Sequence, residues 1–254
     1  MQLRLPNLIQ WHVLNFSYFQ LDAHSILERT IVKNYRSMGL EGILQEAYTV
    51  KIGEYIGSGW NIFKKNPVEF AGFTLVFFLV NVAIAKASQS VTLEGFISLF
   101  ISAPLNAGFL IVAFKLLKNR ATTFGDFFRG FNNYLPLLLV SLVSSLAVGI
   151  GLLLLLVPGI YLAVAYIFAL PLVLERKMNF WVGMEFSRKL ISKNWFSFLG
   201  FAFVLVLLNL AGVLLLGVGL LVTIPVSACA IAAAYADIVG LTPSSSAFED
   251  GVTA

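Results

Sequence analysis

Three asparagines stand inside otherwise apolar runs: Asn81, Asn106 and Asn209. A primary amide in that setting either lines a path for a polar solute or hydrogen-bonds a neighbouring helix, a contact worth about 0.6–2 kcal/mol in lipid. Asn81 and Asn209 are expected at equivalent depths in their runs. Lys115 and Asp237 end two other runs, where each is expected to reach lipid headgroups or the other. Asp126, Glu175 and Glu185, with their basic neighbours, are candidates for anionic headgroup contact. Catalysis has little to work with. Both histidines, His12 and His24, fall in the first 37 residues. There is no Gly-x-Ser-x-Gly elbow, no His-Glu-x-x-His, no phosphate loop and no intramembrane carboxylate pair. Gly149-Ile150-Gly151 lacks a third glycine and a preceding strand. The single cysteine, Cys229, rules out an intrachain disulfide and any zinc or redox spacing. The expectation is a non-enzymatic chain with no catalytic residue, cofactor or metal.

The composition says what must position these residues. Of 254 residues, 59% are hydrophobic and 12% charged, about half the charge of a soluble domain. Unpaired backbone groups are not tolerated in lipid, so spans must be helices or a closed barrel. Unbroken apolar runs argue for helices, since a barrel would alternate polarity. The net charge of +4 comes from basic residues clustered beside the runs, so it is no signal for nucleic acid.

Residues 1–37 do not match the rest: they are too interrupted for a signal peptide. They are expected to be a mobile extension or a mis-assigned start ahead of Met38, the alternative being a genuine amphipathic segment. From Leu44, apolar residues at spacings of three and four predict one amphipathic interfacial helix within 38–66, carrying Trp60. The membrane domain is 67–240. Its expected spans are Val68–Ala85, Phe96–Phe114, Leu135–Leu156, Ile160–Leu174, Trp195–Leu216 and Leu220–Val239. Val157-Pro158-Gly159 and Gly217-Val218-Gly219 are read as reversals, and Glu175-Arg176-Lys177 as a return to water. Thr123 with Asp126 fits a capping box opening a second short interfacial helix with Phe124, Phe127, Phe128 and Phe131. Asn179 is placed to cap a third. Pro104, Pro171 and Pro225 fall in even-numbered spans. Small residues from Ser227 to Ala234 predict that the sixth span is the most enclosed. The tail 241–254 is expected to be disordered.

One stretch occurs twice. At an offset of 128, residues 63–83 match 191–211 at Lys65/Lys193, Asn66/Asn194, Phe70/Phe198, Gly72/Gly200, Phe73/Phe201, Val76/Val204, Leu79/Leu207, Asn81/Asn209 and Ala83/Ala211. This reads as a parallel internal repeat. Of the 13 Lys/Arg after residue 50, all but Lys86 fall on one side of the expected spans: Lys51, Lys64, Lys65, Lys115, Lys118, Arg120, Arg129, Arg176, Lys177, Arg188, Lys189 and Lys193. Positive loops stay cytoplasmic, so both termini and the three short helices are expected there. Among these, Lys64, Lys65, Lys118, Arg120, Arg129, Arg188, Lys189 and Lys193 are the candidate headgroup contacts.

Across roughly 45–240 the layout resembles uncharacterised bacterial six-span families, the YciC-like family and the membrane domain fused to some glycerophosphodiester phosphodiesterases. The resemblance rests on Trp60-Asn61-Ile62-Phe63-Lys64-Lys65-Asn66-Pro67, Pro104-Leu105-Asn106-Ala107-Gly108, Leu155-Leu156-Val157-Pro158-Gly159-Ile160-Tyr161, and Ser187-Arg188-Lys189-Leu190 ahead of Asn194-Trp195. It implies a fold and no activity. The sequence therefore predicts an all-α polytopic protein of the bacterial cytoplasmic membrane, with six helices in three hairpins, each preceded by an interfacial helix. As a scaffold or accessory subunit it would engage membrane lipids, a partner protein or further copies of itself. The alternative is a transporter or channel for a small or lipidic solute.

Overall fold

The computed structural model describes residues 39–87 and 91–242. The expectations for 1–37, both histidines, the turn residues 88–90 and the tail beyond Thr242 lie outside the described residues. The chain divides into two units, Met1–Glu46 and Ala47–Ala254. In the first, the described structure is a single turn of helix, α1 (Glu41–Gln45). The second contains α2 (Ile52–Phe63), α3 (Pro67–Ala87), α4 (Val91–Leu117), a 3₁₀ helix (Phe124–Asn133), α5 (Tyr134–Leu154), α6 (Leu156–Ala165), α7 (Ala169–Glu175), α8 (Phe180–Ser192), α9 (Trp195–Leu214) and α10 (Leu220–Ile238). The described residues contain no strand. Six segments are helical, long and apolar enough to cross a membrane: Pro67–Ala87, Ile97–Leu117, Phe124–Leu154, Leu156–Glu175, Trp195–Leu214 and Leu220–Ile238. Their outward side chains, among them Leu75, Leu79, Leu153, Phe203, Leu210 and Leu214, are exposed. Apolar surface on that scale is what a lipid-facing exterior requires.

Four expectations about elements need correction. The helix does not begin at Leu44: residues 46–51 are not helical, and α2 starts at Ile52. Tyr48 is held away from the helix, because its hydroxyl donates to Leu190 O at 2.7 Å and its carbonyl accepts from Asn194 Nδ2 at 2.7 Å. Val157-Pro158-Gly159 is no reversal. The chain turns at Leu155 alone, in extended conformation, and Pro158 sits in the first turn of α6, where its missing N–H has no helical partner to lose. A Cβ on Gly151 would lie 2.9 Å from Gly159 Cα, so α5 and α6 meet backbone to backbone.

The fourth span is not one helix. It breaks between α6 and α7 at 166–168. Pro171 has no N–H for the carbonyl four residues back, Ile167, and its ring crowds that carbonyl. The most enclosed span is the second: 61% of its apolar window is buried, against 50% for the sixth.

Aromatic packing docks the 3₁₀ helix. Phe127 stacks on Phe73 with centroids 4.5 Å apart, while Phe70 and Phe109 meet it edge-on. Gly108 and Gly130 let the backbones touch, since a Cβ on Gly108 would collide with Phe127 O and one on Gly130 with Pro104 O. In the same way Gly59 of α2 lies against Val226 and Ala230 of α10, where a Cβ would fall 2.8 Å from Ala230 N.

Candidate functional site

The three asparagines separate into different environments. Asn81 Nδ2 donates to Phe77 O, one turn back in its own helix, at 2.7 Å. Asn209 Nδ2 donates both to Leu205 O and across to Ser227 Oγ, each at 2.8 Å, which clamps α9 to α10. Asn106 Nδ2 donates to Ser102 O at 2.9 Å, and its side chain is exposed.

Asn106 is exposed because it faces a cavity of about 360 Å³ between α4, α5, α10 and the broken fourth span. Ser102, Ser141, Ser144, Ser145 and Tyr166 are the hydroxyl-bearing residues of the wall, and Leu99, Leu110, Val140, Ile167, Leu170 and Ile231 supply its apolar part. Among the described residues no carboxylate, histidine, lysine or arginine lines it. Asn81 and Asn209 are not in the wall. Ser144 Oγ is buried and has no hydrogen-bond partner. The serines of α5 fall three and four residues apart, on one face of a helix. That spacing was the available signal, and it gains meaning only beside Asn106.

The helix break borders the cavity and is repaired from behind by Ser187 of α8. Its fully buried hydroxyl donates to Ala165 O at 2.7 Å and accepts from Phe168 N at 3.2 Å. Irregular backbone at span depth persists only when protein or a cavity satisfies it.

At the charged end of the bundle the acidic residues have partners within the protein. Asp126 is buried, with Lys115 Nζ at 2.6 Å, Arg129 Nε at 2.9 Å and the Thr123 N–H of the expected capping box at 2.8 Å. Lys115 therefore pairs with Asp126, and Asp237 instead meets Tyr55 OH at 2.8 Å and Lys51 Nζ at 3.5 Å. Glu175, expected in water, has a 0% exposed side chain. Lys118 Nζ lies 3.1 Å from it and Arg176 Nε 3.2 Å. Thr242 donates to it through its N–H at 2.7 Å and through its hydroxyl at 2.5 Å, and Tyr235 OH adds a bond of 3.3 Å. Arg176 Nη2 also donates to Val239 O and Gly240 O, tying the end of α7 to the chain leaving α10.

Several of the basic residues named from sequence form ion pairs within the protein. Lys118 and Arg129 pair with these carboxylates. Arg188 and Lys189 pair with Glu185 at 2.7 and 3.4 Å. Burial raises the Glu185 pKa, but the Arg188 hydrogen bond and the charges of Arg188 and Lys189 outweigh it and hold the carboxyl below its ordinary value. Lys65 Nζ donates to Leu116 O at 3.2 Å, and Lys64 lies 6.0 Å from the Trp60 ring centre. Arg120 is half-buried in the loop after α4, and Lys193 is exposed at the end of α8.

Among the described residues no group of three or more His, Cys, Asp or Glu could hold a metal. Hydroxyls and one amide among the lining residues can bind and orient a ligand. Compared with models of known families, with curated proteins and with solved structures, the chain has no significant match.

Proposed function

We propose that the chain is a non-enzymatic integral protein of the bacterial cytoplasmic membrane, a scaffold or accessory subunit whose rim of short helices engages membrane lipid. In this reading the spans pair as three hairpins, with both termini and the rim cytoplasmic, in the manner of the six-span families that the sequence resembles. A partner protein or a second copy would meet the same rim. The observation that carries the reading is the surface of that rim. Phe124, Phe128 and Phe131 are 41%, 37% and 43% exposed, and Trp60 and Trp181 are 44% and 49% exposed, while Asp126 on the same short helix as the phenylalanines is paired with Lys115 and Arg129. Aromatic rings with few unpaired acidic neighbours suit the headgroup zone. The internal repeat is supported by like burial: Phe70 and Phe198 are fully buried, as are Phe73 and Phe201. Asn66 O and Asn194 O both accept from the N–H four residues on. The test is a Phe124→Ser/Phe128→Ser/Phe131→Ser variant in native membranes. Loss of lipid co-purification and of captured partners is expected; wild-type levels of both would end this reading.

A second reading, a transporter or channel for a small or lipidic solute, is favoured by the cavity and the broken fourth span, features that mark binding sites in transporters. Asn106, not Asn81 or Asn209, would lie on its path. Absence of solute flux into proteoliposomes would remove this reading, and flux that Asn106→Leu leaves unchanged would take Asn106 off the path.

A further inference from the structure

We propose that the mid-span cavity is a binding site for a neutral, hydroxyl-bearing lipid, such as a long-chain alcohol or a monoacylglycerol. Two observations show hydrogen-bonding capacity left unused at that depth. The Asn106 amide is exposed near the middle of the second span, with one N–H committed to Ser102 O. That leaves its other N–H and its carbonyl turned to the cavity, where hydrocarbon would cost several kcal/mol for each unmet group. Ser144 Oγ is buried without a partner at the same wall. No lining residue is itself charged, which favours an uncharged ligand. An ionised head would lose its water and gain no counter-ion, so an uncharged hydroxyl or ester head is the chemistry that fits. The apolar side, Leu99, Val140, Ile167 and Ile231, takes the chain. The volume of about 360 Å³ falls in the range of roughly 300–1,000 Å³ common to small-molecule sites lined by apolar groups and a few polar ones. The inference stands apart from the rim reading, since the rim lies at the charged end of the spans and the cavity at their middle.

The experiment uses the full chain in nanodiscs of phosphatidylcholine and a photoreactive diazirine analogue of monooleoylglycerol. Saturable labelling is expected on peptides of α4, α5 and α7, competed by unlabelled monooleoylglycerol and not by oleate, which shares the chain and differs in charge. Asn106→Leu/Ser144→Ala weakens the apparent affinity about tenfold, the loss of one or two modest hydrogen bonds. Ser145→Phe, at an exposed position of the wall, fills the space and abolishes labelling without touching the core. Asn81→Leu, outside the wall, leaves it unchanged. Labelling that does not saturate, that oleate displaces equally, or that survives Ser145→Phe overturns the proposal.

Discussion

Replacing Glu175 by leucine removes the acceptor around which the charged end of the bundle closes. The side chain is fully buried, and Lys118 beside it is 9% exposed. The variant takes the Glu175 carboxylate away from the Lys118 ammonium in a site that water barely reaches. It also deprives the N–H and hydroxyl of Thr242 of their acceptor. Removing one member of a buried pair costs about 3–5 kcal/mol, most of it the stranded partner charge. The individual bonds are not added to this, because they report the same desolvation. Lys118→Met is expected to cost less, because Glu175 keeps Arg176 Nε at 3.2 Å and both Thr242 donors. The Lys118→Met/Glu175→Leu double variant strands neither charge, and it recovers at least about 2 kcal/mol of the summed loss, within the range seen for coupled pairs. The residue of the cost belongs to Arg176 and Thr242. Unfolding in mixed detergent micelles, followed by tryptophan fluorescence, measures all three proteins. A single-variant loss below about 1 kcal/mol, the value of an exposed pair, or simple additivity of the two, would refute the reasoning.

Gly108→Ala pushes a methyl into the Phe127 carbonyl and should destabilise by about 1–3 kcal/mol or more, whereas Gly125→Ala, whose Cβ meets only Thr123 Oγ1 at 3.8 Å, should be near neutral in the same unfolding assay. Ser187→Ala leaves Ala165 O and Phe168 N unmet and should cost about 1–3 kcal/mol, with Ser187→Thr recovering part of it. Because the folded Glu185 carboxyl titrates below its unfolded value, its ionised form stabilises the fold above roughly pH 4.3 and that contribution fades as pH falls through the folded value. Glu185→Gln should therefore be less stable than wild type at pH 7 by up to about 1 kcal/mol, the gap closing below about pH 4; a gap that widens on acidification contradicts the assignment. An impermeant thiol reagent applied outside intact cells should label Leu155→Cys and not Thr123→Cys, with buried Cys229 silent; the reverse pattern inverts the orientation.

Local features were the legible ones. The Thr123/Asp126 cap and the Asn179 cap, whose Oδ1 accepts from Trp181 N at 3.0 Å, each involve residues within one turn, and sequence spacing contains them. Six apolar stretches were legible because hydrocarbon length alone sets them. The break in the fourth span was half-written: Pro171 was visible, but the repair by Ser187 comes from another helix. The ion-pair partners of Asp126 and Glu175 were hidden for the same reason. Polarity marks a carboxylate as wanting water or a cation, and only the fold shows Lys118, 57 positions away, arriving beside Glu175. The serines of the cavity are ordinary helix residues until three neighbouring spans leave a gap at their side.

The shell around Glu175 also imposes a timetable. During synthesis Lys118 is already made when Glu175 emerges, but Tyr235 and Thr242 arrive only with the last span and the residues after it. Until then the carboxylate has its cations and lacks the Tyr235 and Thr242 donors. A nascent chain halted before Thr242 would keep that end of the bundle open to water and to proteases, so closure there marks completed translation of the membrane domain.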